Sequence, residues 1–120
     1  MRTRILIAML PSLLFPATTA DAHAFLDHAD PRVGSTVRTA PHTVTLWFTQ
    51  DLEPSFSTVE VRNASGARVD SGKASFGAGG RTVMRIGLKP LSPGTYTVSW
   101  RVLSVDTHTT EGTFSFRVGG

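Results

Sequence analysis

The chain has 120 residues, no cysteine, and twelve Lys and Arg against nine Asp and Glu, for a net charge of +3. That length holds one domain, and the missing cysteines exclude disulfides and thiolate metal sites alike. The basic residues stand singly, most on the polar side of alternating segments, so no stripe suited to tracking phosphates forms and nucleic-acid binding is not expected. In chain order, residues 1–22 read first as a secretory signal. Arg2 and Arg4 give a short positive start, "ILIAMLPSLLF" (Ile5 to Phe15) is apolar but too short for a permanent membrane span, and "PATTADA" places Ala20 and Ala22 before a cleavage point. Cleavage following Ala22 leaves a single exported domain, 23–120, of 98 residues with ten basic and eight acidic side chains, net +2.

From residue 43 onward the pattern has the period of two that marks a strand. "TVTLWF" aligns Val44, Leu46 and Phe48, and "STVEVR" sets Val59 and Val61 against Thr58, Glu60 and Arg62. "TVMRIGL" aligns Met84, Ile86 and Leu88, "TYTVSWRV" aligns Tyr96, Val98, Trp100 and Val102, and "GTFSFRV" aligns Phe114, Phe116 and Val118. Each apolar set can line a core while the opposite face meets water. "NASG" (63–66), "FGAGG" (76–80) and "SPG" (92–94) supply turns. A short helix in "FTQDLEPSF" is allowed, and Pro54 rules against a long one. No helical-period segment occurs after residue 22, so the fold class is all-β: an antiparallel β-sandwich with Greek-key connections.

Four histidines remain after the signal: His23, His28, His42 and His108. Cleavage after Ala22 makes His23 the first residue. Its α-amine, with an ordinary pKa of about 7.7–8.0, and its imidazole Nδ1 can then chelate one metal ion. "SVDTHTTEG" carries Asp106 and His108 two positions apart, and on an extended segment both side chains leave the same face. Together these give amine nitrogen, two imidazole nitrogens and a carboxylate oxygen, a donor set that suits Cu(II) in a tetragonal arrangement. Zinc competes without that geometric preference. His28 is read as an exposed strand residue, His42 as a surface turn residue, Glu111 as a solvated turn acid, and Met84, Trp47 and Trp100 as packing residues.

"HAFLDHADPRVGSTV", "VTLWFTQDLEPSFSTVEV" and "LSPGTYTVSWRVLSVDTHTTEGTFSFRV" resemble, over essentially the whole exported chain, the CopC family of periplasmic copper-resistance proteins. The segment "WRVLSVDTH" from Trp100, with a His-Ala start, carries the resemblance most specifically. It implies a Greek-key barrel or sandwich of cupredoxin- or immunoglobulin-like kind, with one Cu(II) bound by His23, Asp106 and His108. It also implies a periplasmic or otherwise exported location and work beside a CopD-like inner-membrane copper transporter. Two departures stand out. Where many members carry a glutamate that supports a copper-bound histidine, this chain has Gln50, which brings no charge. The stretch "VDSGKASFGAGGRTV", where some members hold a methionine-rich Cu(I) segment, contains no methionine or histidine, so one Cu(II) site and no Cu(I) site is expected.

Three functions compete on these residues. The first is a non-enzymatic copper carrier, for sequestration, resistance or delivery. The second is a histidine-brace copper monooxygenase-like enzyme, against which stand the anionic donor Asp106, the small domain and loops without an aromatic platform. The third is an exported sandwich that uses no metal.

Overall fold

The computed structural model describes residues 24–77 and 79–120; the expected signal segment and His23 lie outside the described residues. Eight strands follow one another: β1 (Leu26–Asp30), β2 (Thr36–Val37), β3 (Thr43–Phe48), β4 (Thr58–Arg62), β5 (Asp70–Gly77), β6 (Gly80–Leu88), β7 (Gly94–Leu103) and β8 (Thr109–Val118). One sheet has the order β1-β3-β6-β5 and the other β2-β8-β7-β4. Every pairing is antiparallel except β2 with β8. The chain changes sheet at every connection but two, the β5–β6 and β7–β8 hairpins, which is the crossing pattern of a Greek-key sandwich.

The alternation read from the sequence places the core correctly. Val44, Leu46, Phe48, Val59, Val61, Met84, Ile86, Val98, Val102, Phe114, Phe116 and Val118 are all buried between the sheets. Trp100 and Leu88 fall short of full burial and pack at the margin. Trp100 meets Phe48 edge to face, with ring centroids 5.1 Å apart, and lies over Gly112, where an added Cβ would come within 2.7 Å of the indole. Glycine at 112 is therefore a packing requirement. The expected turns form at 63–66, between β5 and β6, and before β7. The side-chain oxygen of Asn63 accepts the backbone N–H of Ser65 and of Ala67, both at 3.0 Å. The helix allowed in "FTQDLEPSF" is a single 3-10 turn, Pro54–Phe56.

Strands β1, β2 and β5 carry little alternation. In β5 (DSGKASFG) the register with β6 shifts between Asp70 and Ala74, and Gly72 has φ +93°, so the edge strand bends where only glycine adopts that backbone cheaply. Asp70 opens this strand with a fully buried side chain. Its carboxylate accepts the N–H of Val61 on β4 of the opposite sheet at 2.7 Å, the N–H of Gly72 at 2.8 Å, and the Arg68 guanidinium at 2.8 and 3.1 Å. Burial alone pushes this carboxyl up. The Arg68 hydrogen bonds and the two backbone N–H groups outweigh it and hold the carboxyl below the usual range. The Tyr96 hydroxyl donates to the Ser92 carbonyl at 2.5 Å, closing the corner where the chain enters β7.

Three segments meet at one end of the sandwich. Thr49 and Phe25 exchange two hydrogen bonds of 2.9 Å, one through the Thr49 hydroxyl, at the exit of β3. Farther along that segment, Asp51 O accepts Val105 N–H at 3.0 Å and Glu53 N–H reaches Leu103 O at 2.8 Å. These bonds bring residues 24–25, 49–53 and the β7–β8 turn together.

Candidate metal centre

The β7–β8 connection is a tight hairpin loop. Thr107 N–H donates to Ser104 O at 2.8 Å, and Ser104 N–H donates to His108 O at 3.0 Å. Thr107 has φ +72°, the only positive φ of a non-glycine residue among the described residues. This is a hydrogen-bonded turn over residues 104–107 ending in a residue with positive φ, a position that normally takes glycine. The pleat expected from the spacing of Asp106 and His108 is therefore corrected: Asp106 lies in the turn and His108 leaves it, neither within a strand. The turn nonetheless brings them together, with Asp106 Oδ1 3.3 Å from His108 Nδ1 and 3.4 Å from the His108 backbone N.

Thr107 supports a first expected result. A β-branched residue in the left-handed region costs about 1–3 kcal/mol, and glycine in place of a side chain costs about 0.5–1 kcal/mol through the unfolded chain. Thr107→Gly should raise the apo thermal midpoint by several degrees, since about 1 kcal/mol corresponds to ~4–8 °C in a domain this small. A lowered midpoint would show that the hydroxyl of Thr107, which bonds the Asp106 carbonyl, outweighs the strain.

The carboxylate of Asp106 is asymmetric. Oδ1 receives the hydroxyl of Ser104, a fully buried residue, in a short contact. Oδ2 is buried and has no hydrogen-bond partner among the described residues. The Ser104 hydroxyl lowers the carboxyl's pKa, partial burial raises it, and the His108 ring and N–H lower it further, so it lies below the ordinary carboxylate range and is ionised at neutral pH. The Asp106 side chain is 32% exposed as a whole, and its ionised Oδ2, lacking a donor, offers lone pairs to a cation. A hard or borderline cation suits that oxygen, and the neighbouring imidazole supplies the nitrogen such a site uses.

Sequence reasoning had no role for Ser104, although it lies inside "WRVLSVDTH", and none for Thr110. The hydroxyl of Thr110, two residues past His108, donates to the carbonyl of Ala24 at 2.6 Å, and Ala24 is fully buried. Among the described residues no group of three or more His, Cys, Asp or Glu side chains converges as a metal site. Asp106 and His108 are brought together; His23 lies outside the described residues.

The remaining candidates divide as follows. His28 is exposed on β1 with Nδ1 2.7 Å from Asp27 Oδ2, and its ring stacks on Trp47 at 4.2 Å with 10° between planes. His42 is exposed, and Met84 is fully buried in the core, as read. Glu111, read as a turn acid, instead belongs to β8, with its carboxylate 3.4 Å from Arg101. Gln50 is half-buried in the segment that bonds both Phe25 and Val105.

A small two-sheet Greek-key sandwich with an Asp-x-His turn beside its first described residues defines the class. Residues 26–119 match the family profile described as the CopC domain. Copper resistance protein C of Xanthomonas campestris pv. juglandis is 37% identical over 108 residues, covering 85% of this chain and 84% of that protein. Copper transport protein CutJ of Bacillus subtilis is 31% identical over 119 residues, 98% of this chain but 22% of that protein, so this chain spans under a quarter of that relative's length. Among solved structures, CopC from Methylosinus trichosporium OB3b superposes with a TM-score of 0.76 at 32% identity, covering 81% of this chain and 94% of that one. PcoC from Escherichia coli, described as methionine rich, gives 0.72 at 34% identity, covering 81% and 99%. The chain belongs to the CopC family of copper-resistance proteins.

Proposed function

We propose that this chain is an exported copper carrier that holds one Cu(II) ion, its cargo, through the α-amine and imidazole of His23, the carboxylate of Asp106 and the imidazole of His108. The observation that carries this reading is the bond from Thr110 to Ala24. Ala24 directly follows His23, and Thr110 lies two residues past His108; with successive Cα atoms about 3.8 Å apart, this bond supports a ligand set that joins the new N-terminus to Asp106 and His108. Export is supported by the signal-like residues 1–22.

Delivery, rather than catalysis, is the reading for the bound ion. A hard carboxylate beside nitrogen donors favours Cu(II) over Cu(I), which opposes the redox cycling a monooxygenase needs. Met1 and Met9 lie in the signal-like segment, and Met84, the one methionine after it, is buried in the core, which supports a Cu(II) rather than a thioether Cu(I) site. The relative named a copper transport protein contains a region like this chain within a much longer polypeptide, which supports a membrane copper transporter of CopD-like kind as the receiving partner. His28 is left outside the proposed ligand set; it is exposed on β1, paired with Asp27 and stacked on Trp47.

Titration of the chain beginning at His23 with Cu(II), followed by metal analysis after gel filtration, should give one retained ion per chain, and peroxide with reductant should produce no substrate oxidation. Two retained ions, or none, would contradict the single-site reading.

A further inference from the structure

The copper reading gives roles to Asp106 and His108 but none to Ser104, whose side chain is the most enclosed polar group of the turn. Ser104 is fully buried. Its backbone is held on both sides, with N–H to His108 O at 3.0 Å, carbonyl from Thr107 N at 2.8 Å, and a bridge to Leu52. The hydroxyl has one proton to give; it contacts Asp106 Oδ1, and the carbonyl of His108 lies 3.2 Å away.

We propose that Ser104 is a positioning residue for the copper ion: its buried hydroxyl locks Asp106 in one orientation beside His108, with Oδ2 left for the metal. This inference rests on the copper-site reading above. A carboxylate on a surface turn ordinarily samples several rotamers, and binding an ion through it then carries an ordering cost. Here Oδ1 is already surrounded by the Ser104 hydroxyl, the His108 ring nitrogen at 3.3 Å and the His108 N–H at 3.4 Å. Oδ2 is the oxygen without a hydrogen-bond partner among the described residues. One serine hydroxyl thus fixes the carboxylate donor of the turn before any ion arrives. Groups that orient metal ligands in this way typically cost ~10–100-fold in affinity when removed.

The test is a double-mutant cycle on the chain beginning at His23, with Cu(II) affinity measured by chelator competition. Ser104→Ala should still bind one ion, about 10–100-fold more weakly, with an altered electron paramagnetic resonance spectrum. In an Asp106→Asn background the same change should have little further effect, because the hydroxyl acts through that carboxylate. Equal affinity for Ser104→Ala and wild type, or a full additional loss in the Asp106→Asn background, overturns the proposal. A His108→Ala variant run alongside separates the two layers. If it is weakened while Ser104→Ala is not, Ser104 alone loses its role; if it binds as wild type does, the site reading fails and takes the Ser104 role with it. A measurement on the unaltered apo chain needs no folded variant: the Ser104 hydroxyl proton should exchange slowly enough to be seen by NMR with a contact to Asp106. A rapidly exchanging proton contradicts the lock.

Discussion

His108→Ala should abolish tight Cu(II) binding while leaving the sandwich folded. The imidazole is more than half exposed, its Nδ1 lies 3.3 Å from Asp106 Oδ1 in the same turn, and His108 is not part of the buried core. Exposed substitutions of this kind move stability by about 0.5 kcal/mol or less. The proposed copper site, by contrast, would lose one of its nitrogen donors, and the drop in affinity should exceed the ~10–100-fold typical of an outer partner. Circular dichroism melts of the apo proteins should therefore coincide, while competition titrations separate widely. Coinciding titrations would remove His108 from the site. A large fall in the apo melting point would mean that the turn, not the metal, is the main customer of this side chain.

Asp70 produces the largest expected effect on the fold. Its carboxylate joins β5 of one sheet to Val61 on β4 of the other, and also holds Gly72 and Arg68. Asp70→Ala leaves the N–H of Val61 without its acceptor inside the protein, and a buried donor without a partner costs about 1–3 kcal/mol. With the bond to Gly72 also lost, a total near 3 kcal/mol is expected, a large part of the ~5–15 kcal/mol that holds a domain together. Asp70→Asn should do little better, because its NH2 must face one of the same donors.

The pH dependence follows from the direction of the shift. The folded carboxyl titrates below its unfolded value of about 3.9, so its contribution is fully present above that pH and is lost as pH falls through the folded pKa. Urea unfolding at pH 7 should separate wild type from Asp70→Asn clearly, and the gap should narrow as the pH falls below about 4. A gap that is constant down to strong acid would show that packing, not the carboxylate, sets the cost.

The sandwich was legible because its core strands alternate cleanly. Val44-Leu46-Phe48 and Phe114-Phe116-Val118 each place one face inward, and the structure buries them as the spacing requires. β5 was not legible, since "DSGKASFG" is an edge strand bent at Gly72 with no apolar face to alternate. The partner of Asp70, Val61, is nine residues away on the other sheet, a relation no local pattern contains. The Asp106–His108 pair was found for an incomplete reason. Spacing of two predicts proximity on a strand, whereas the chain achieves it with a left-handed Thr107, a residue type that gives no sign of that backbone. Ser104 was hidden for the same cause, because only the turn folds its hydroxyl onto Asp106.

The most direct test of the copper reading is electron paramagnetic resonance of Cu(II) added to the chain beginning at His23, compared with a chain keeping one extra residue before it. The amine chelate predicts a one-to-one, nitrogen-rich tetragonal spectrum for the first and a clearly different spectrum with weaker binding for the second. Identical spectra and affinities in the two chains would contradict ligation by the α-amine, and with it the site built on His23.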